Sequence, residues 1–584
     1  MKLKEWQKIT LLIVVIFAAV GFFMYLVFGS FPNEAPPISR DSFLKLRIAG
    51  EIPERSVDDP VGEIFGEPSI SVESILQVIR KAKIDPRIKG IILEPQLTSM
   101  GLGKTQEIRD ALEDFKTTGK PIYAFIEFAA DKEYYLASVA DSIFGVSTGI
   151  LLANGFVSNP MFLKGTLDKL GIEFEAVAIG KYKNAPDMFT REEISDAQRE
   201  VINSLLDDLY SRYISTLASA RGISESRMYQ LIDQGFFTLD KAKEAGLVDS
   251  LMYYNQFKEF LRDKYNKRLR FVSLKHYRKI PMSKLGVKAK EKIAVVYGVG
   301  TIVSGGEDQY GEDGLITSEG MANSIRRAAD DNSIKAIILR IDSPGGSGTA
   351  SNIIWKEVVR AVEMKPVIVS ISDMAASGGY YISMAADSII AHPSSIVGSI
   401  GIFFMKADLS KLYKKIGANV EEIKRGENAD MFSEIKKLTP QQRELVKKFL
   451  FDFYQDFVTN VAEGRHMSYE DVDKIAQGRV WTGKQGLENG LVDKLGDFYT
   501  ALNVAKKMAG IPVGDYVKLV EYPKQKTLLE KLFSGSLMAK ANNPVEHFDY
   551  FNKLPAIFKN VITALPYFRP GEPLFLCTFY PEIN

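Results

Sequence analysis

A serine followed by two glycines, Ser377-Gly378-Gly379, stands between an apolar run and a helix-like segment in "DMAASGGYYISMAADSI", residues 373–389. A turn of this kind exposes a hydroxyl, and its small neighbours let a substrate backbone come close. Taken alone, the triplet is far more often an ordinary glycine-rich turn. A second glycine turn, in "IDSPGGSGTA" (341–350), also follows an apolar run. Its consecutive backbone N–H groups can aim at a developing oxyanion without any side chain, although a phosphate site or a plain helix N-terminus reads the same way. A serine nucleophile needs a base. His392 is the nearest histidine, but it lies in "SIIAHPSS", at the end of a strand-like run. A lysine can serve instead if burial keeps its amine neutral.

The segment around Ser377 has a near twin, "EFAADKEYYLASVADSI" (127–143), with the same Tyr-Tyr pair and Ala-Asp-Ser-Ile ending. Where one copy carries Ser377-Gly378-Gly379, the other carries Asp131-Lys132-Glu133. A further pair of segments, "GKYKNAPDMF" (180–189) and "RGENADMF" (425–432), sets Lys183 opposite Glu427 when the shared Asn-Ala is aligned. The lysine therefore belongs to the copy without the serine. Copies that retain packing residues are free to diverge at chemical positions, so each half supplies one member of a Ser/Lys dyad. A solvated surface lysine is the alternative for Lys183, and Lys181 lies only two residues away.

The elements that must position these residues are also written twice. "KIDPRIKGIILEP" (83–95) parallels "DNSIKAIILRIDSP" (331–344), each a β-branched run after a helical segment, as expected of a buried parallel strand. "EIRDALEDFKTTGKPIYAFI" (107–126) parallels "IIWKEVVRAVEMKPVIVSI" (353–371), each a helix that breaks near Lys-Pro and leads into another strand. Two long amphipathic helices follow, opened by Ser195 with Gln198 and by Thr439 with Gln442, and Pro440 suits the first helical position. Their expected core-facing stripes are Ile202, Leu205, Leu209 and Tyr213, and Leu445, Phe449, Phe453 and Phe457. Alternating strands and helices predict two tandem α/β domains, each with a parallel sheet flanked by helices. The expected bounds are 31–285 for the first and 286–510 for the second, with a tail at 511–584 that has no counterpart.

A chain of 584 residues with 46% apolar residues has material for two or more packed cores. Its formal charge of +1 gives no electrostatic reason to expect nucleic acid as a partner. The single cysteine, Cys577, forms no internal disulfide, and no histidine lies at metal-ligand spacing from another or from that thiol, so neither metal nor cofactor is expected. Residues 1–30 read as a cytoplasmic tip and a transmembrane helix, because Ile9 to Phe28 is an uncharged apolar run of bilayer-spanning length. Lys2, Lys4 and Lys8 precede it and no basic residue follows before Arg40, which keeps the N-terminus cytoplasmic and exports the body. The run exceeds a cleaved signal peptide's apolar region and no A-x-A site follows.

Taken together, "NSIKAIILRIDSPGGSGTAS", "SDMAASGGYYIS", "SSIVGSIGIF", "YKNAPDMF" and "GRVWTGKQGLENGLVDKLGDF" resemble the signal peptide peptidase A (protease IV) family in its long, membrane-anchored two-domain form, over roughly residues 40–510. The resemblance implies ClpP/crotonase-like domains and a membrane-bound serine endopeptidase that degrades cleaved signal peptides and other short hydrophobic peptides. It implies Ser377 as nucleophile, Lys183 as general base, and backbone amides of Gly345 or Gly346 and of Gly378 as the oxyanion hole. It implies Ser399, in "GSIGIF", as a hydroxyl that orients the lysine amine. It further implies a homotetrameric ring or bowl, at an inner membrane facing the periplasm. A crotonase-type acyl-CoA enzyme would use the same oxyanion turn without a serine nucleophile, and a non-catalytic membrane scaffold would keep only the repeat.

Overall fold

A computed structural model describes residues 38–56, 70–265, 268–311, 314–525, 568 and 571–577. The expected membrane span at 9–28 lies outside them, and among the described residues no helix is long and apolar enough to cross a membrane.

The first domain is built on strands β1 (Ser42–Gly50), β2 (Ile88–Thr98), β3 (Ile122–Ala129) and β4 (Ser142–Leu152). They lie parallel in the order β4-β3-β2-β1, and short β6 (Phe236–Thr238), β7 (Ser250–Leu251) and β8 (Arg270–Ser273) extend the edges. The second domain repeats this plan with β9 (Glu291–Val303), β11 (Ile334–Ser347) and β12 (Val367–Ala376) parallel, and with β13 (Ser388–Ala391) and β14 (Ile396–Gly398) beyond β12. Helices Val72–Ile84 and Leu102–Lys116 flank the first sheet, and Ser318–Asp330 and Gly348–Val362 hold the equivalent places on the second. Both sheets have apolar strand interiors with no exposure, as parallel strands covered by helices require.

Residues common to both copies make the same structural bonds. Tyr134 and Tyr380 donate their hydroxyls to the carbonyls of Leu247 and Leu491, at 2.8 and 2.9 Å. Asp141 accepts from the Ile122 amide and Asp387 from the Val367 amide, both at 2.8 Å. Asp249 and Asp493 likewise accept from Ile143 and Ile389, both at 2.7 Å.

Three features depart from the sequence reading. The second sheet runs past residue 510, because β18 (Val517–Tyr522) pairs in parallel with β9 as β8 does with β1. Its sequence "VKLVEY" alternates charge with apolar residues, as an edge strand does, and so lacks the continuous apolar signature of the inner strands. In the long helix Pro440–Arg465 the buried stripe is Val446, Leu450, Tyr454 and Phe457, whereas Leu445 and Phe449 are about half exposed, at 50% and 46%. That helix is apolar on two faces, so periodicity alone does not select the inner one. Most consequential is β5 (Glu173–Ile179), which leaves its own domain and pairs antiparallel with β15 (Ile402–Asp408) of the second, from Glu173 opposite Asp408 to Ile179 opposite Ile402.

The domains are also locked by buried ion pairs. Arg340 of β11 reaches Glu54 at 2.7 Å and Glu107 at 2.5 Å, and Lys104 reaches Asp342 at 2.7 Å, with all five side chains largely removed from water. Removing one partner of such a pair leaves an uncompensated buried charge, which costs on the order of 3–5 kcal/mol.

Candidate active site

Ser377 closes β12 and precedes the short helix Gly378–Tyr381. Its φ of 55° and ψ of −114° lie where non-glycine residues are strained by roughly 1–3 kcal/mol. The turn is held because the Ser377 amide donates to Gly398 O at 2.7 Å and its carbonyl accepts from Tyr381 at 2.8 Å. Gly378 and Gly379 are required by close approach. A Cβ on Gly378 would fall 2.6 Å from Ser351 Oγ, and one on Gly379 would fall 2.6 Å from Ser343 O.

The second glycine turn stands against the first. Ser343 donates its hydroxyl to Gly300 O at 2.6 Å and accepts from the Gly345 amide at 3.1 Å, which fixes the turn. Gly345 has φ of 95°, and a Cβ there would lie only 2.6 Å from Gly378 N. The Gly345 turn thus packs directly against the Gly378 amide, next to Ser377.

Lys183 arrives from the first domain. After Ile179, the chain turns at Gly180 and is gripped by residues 477–479, with the Tyr182 amide donating to Gln477 O at 2.7 Å. Gly478 is obligatory in this grip, since a Cβ on it would lie 2.5 Å from Lys183 N. The same segment holds the Ser399 loop, through Gly478 N to Ile400 O and Ser399 N to Arg479 O, both 2.7 Å. Lys183 Nζ then lies 2.7 Å from Ser377 Oγ, 3.0 Å from Ser399 Oγ and 3.2 Å from Ser399 O. The side chain is 4% exposed, and burial pushes its amine down to about 7, against a smaller opposing pull from the Cys577 thiol. Lys181, by contrast, points to solvent beside Tyr182 and Glu200.

His392 does not reach Ser377. It is buried at the domain interface, with its ring nitrogens 3.8 Å from Glu107 and 3.6 Å from Asp110. Among the described residues no group of three or more His, Cys, Asp or Glu side chains is arranged to hold a metal ion. Sequence reasoning missed Gln477 and Gly478, whose role depends on contact with a loop almost three hundred residues earlier; the available signal was a Gln-Gly turn just ahead of the repeated "RVWTG" strand.

Between the Gly345-Gly346 turn and β15 runs a short strand, β19 (Leu574–Leu576), antiparallel to both β11 and β15. The lane it fills passes directly in front of Gly345 and Gly346.

The model of Peptidase family S49 matches the chain twice, over residues 114–267 and 360–512. The chain is similar to "Serine protease SPPA, chloroplastic" of Arabidopsis thaliana, at 36% identity over 506 residues, covering 85% of this chain and 74% of that protein. It is similar to "Protease 4" of Salmonella typhi, at 34% identity over 523 residues, covering 85% of this chain and 82% of the relative. "Protease 4" of Haemophilus influenzae is 32% identical over 518 residues, covering 84% of this chain and 83% of the relative.

Proposed function

Because the chain belongs to peptidase family S49 and is a serine peptidase, we propose that it cleaves peptides with a dyad of Ser377 and Lys183, one residue from each domain. The observation that carries this reading is the 2.7 Å contact between Lys183 Nζ and Ser377 Oγ in a site where, among the described residues, no carboxylate or histidine acts on the amine. A neutral amine has two N–H groups and one lone pair. The two N–H groups donate to Ser399 Oγ and Ser399 O, and the lone pair faces the Ser377 hydroxyl. Ser399 is thereby a positioning residue that aims the base.

Ser377 Oγ attacks the peptide carbonyl as Lys183 takes its proton, and the oxyanion is received by the Gly378 amide and an amide of the Gly345-Gly346 turn. The ammonium then gives its proton to the departing amine. A water, deprotonated by the same lysine, releases the acyl group and restores the serine. Base catalysis and each oxyanion donor contribute on the order of 10²-fold or more.

The substrates in this reading are cleaved signal peptides and other short hydrophobic peptides, bound in the lane before Gly345 and Gly346, where Ala185 and Phe403 pack with Leu574 and Leu576, and Met374 and Ile396 with Cys577. The apolar run 9–28 anchors the chain in an inner membrane, with Lys2, Lys4 and Lys8 on the cytoplasmic side and the catalytic body facing the periplasm. The body works as a homotetrameric ring. A fluorophosphonate tests the chemistry: it labels Ser377 in the native chain and fails to label Lys183→Ala. Equal labelling of the two would reject the dyad.

A further inference from the structure

The tail segment "PLFLC", residues 573–577, has no counterpart in the repeat, yet it enters the second domain's sheet. β19 stands between β11 and β15, so among the described residues the sheet reaches β15 and β5 through it. On the β11 side Leu574, Phe575 and Leu576 face Ser347, Gly346 and Gly345, and the ladder is closed by Gly348 N to Pro573 O at 2.9 Å and Cys577 N to Pro344 O at 2.8 Å. On the β15 side Leu574 faces Phe403. This is the pairing by which an extended peptide adds to an open strand edge, with backbone bonds for affinity and alternate side chains in pockets.

The side chains alternate accordingly. Leu574 and Leu576 pack with Ala185 and Phe403. On the opposite face Phe575 stacks on Tyr381, with centroids 5.1 Å apart, and meets Phe457 at 4.9 Å, while Cys577 joins Met374, Ala376 and Ile396. All four residues are under a tenth exposed. Glu572 adds a polar tether, accepting from Ser347 Oγ and from Ser304 Oγ. The first domain has no such strand: among the described residues β2 pairs only with β1 and β3.

We propose that Gly571–Cys577 is a built-in occupant of the peptide groove: a stretch of the chain's own C-terminus that lies along the oxyanion turn, sets Cys577 beside the dyad, and competes with incoming peptides. The proposal rests on the reading of this lane as the peptide site, but its test does not require catalysis. A tethered competitor acts at an effective concentration that a free peptide must exceed, so the groove is filled when no substrate is present and opens as substrate accumulates.

Cys577 is the chain's sole cysteine and reports on its own position. The probe is a synthetic peptide of residues 571–584 carrying Cys577→Ser, added to the full chain with Ser377→Ala so that nothing is cleaved. At saturating peptide, N-ethylmaleimide modifies Cys577 about tenfold faster or more, because the displaced tail exposes its thiol. In the full chain with native Ser377, Phe575→Asp speeds modification without added peptide and raises turnover of a reporter peptide about fivefold, as release of a tethered competitor requires. An unchanged Cys577 rate at all peptide concentrations overturns the proposal, and it does so with the tail's own sequence intact, so that no substitution there can be blamed. If the dyad reading alone were wrong, fluorophosphonate labelling of Ser377 would fail while the peptide-dependent release of Cys577 persisted.

Discussion

Asp131 and Ser377 occupy the same place in their domains, after the third strand and at the head of the following helix, but their surroundings are used in opposite ways. Asp131 is buried and accepts from Tyr213 at 2.6 Å and from the amides of Gly155 and Asn154 at 3.2 and 3.3 Å. Lys132 donates to the carbonyls of Thr98 and Met100, in the turn equivalent to the glycine turn of the second domain. Glu133 accepts from the amides of Thr98 and Ala130. The three residues plug the first site, leaving each polar group with an internal partner and no strained turn, because Ala130 at the helix cap is extended and Asp131 has no positive φ. In the second domain Ser377 and Ser399 both have positive φ, two glycines replace Lys132 and Glu133, and Phe457 stands where Tyr213 supplied a hydroxyl. A closed network rigidifies, whereas a reactive centre keeps donors free and accepts strain for it.

The comparison breaks most visibly when the two serine-site groups are removed. Ser377→Ala and Lys183→Ala are each expected to lower peptide turnover by about 10³-fold or more, with non-additive effects in the double variant because the pair acts as a unit. Circular dichroism melts should remain cooperative in both. Residual activity within about tenfold of the native chain for either variant would contradict the assignment.

A pH series sharpens the same contrast: burial lowers the Lys132 amine of the first site as well, but that amine donates to the carbonyls of Thr98 and Met100. In the proposed dyad Lys183 must be neutral to act, so kcat/KM should rise about tenfold per pH unit below pH 7 and level off above it. Stability carries the same signature. The native amine loses its proton near 7, whereas an unfolded lysine holds its proton to about 10.4. Between those values the unfolded chain binds the extra proton, so this group makes stability rise with pH by up to about 1.4 kcal/mol per unit. Below pH 7 both states are protonated and the slope vanishes. Lys183→Met removes the difference, which denaturant melts at pH 7.5 and 9 would register as a flatter profile than that of the native chain.

How much of this was legible in the sequence follows from where each signal resides. The repeat, the parallel strands and the complementary placement of Ser377 and Lys183 come from local runs and from alignment of the chain with itself, so they were open to reading. The route that joins the dyad was not. "EFEAVAI" carries no mark telling β5 to pair with the other domain, since strand partnership is decided by complementary edges far apart in the chain. β19 is three residues long, too short for periodicity to register. The Gln477-Gly478 grip is a close backbone approach, and its need for glycine appears only when Lys183 N is seen 2.5 Å from the missing Cβ.

Smaller effects test whether Asp131 is only a plug. Asp131→Ala strands the buried Tyr213 hydroxyl and the buried Gly155 amide, and each unsatisfied buried group costs about 1–3 kcal/mol. The variant should therefore melt at a visibly lower denaturant concentration while turnover per folded molecule changes by less than about threefold. A parallel collapse of turnover would mean that the first site still participates in the reaction.

The finest discrimination is between two lysines separated by one tyrosine. Lys181 is 62% exposed at its side chain, rests over the Tyr182 ring at 4.6 Å, and lies 3.5 Å from Glu200. Exposed pairs of this kind contribute about 0.2–1 kcal/mol, and the neighbouring Arg479 already binds Glu200 and covers the same tyrosine. Lys181→Ala should shift stability by less than about 1 kcal/mol and turnover by less than about twofold, with the pH midpoint of kcat/KM unmoved. A shifted midpoint would show that the charge at 181 reaches the buried amine, and would place the base's environment under the control of the loop surface instead of the Ser399 contacts.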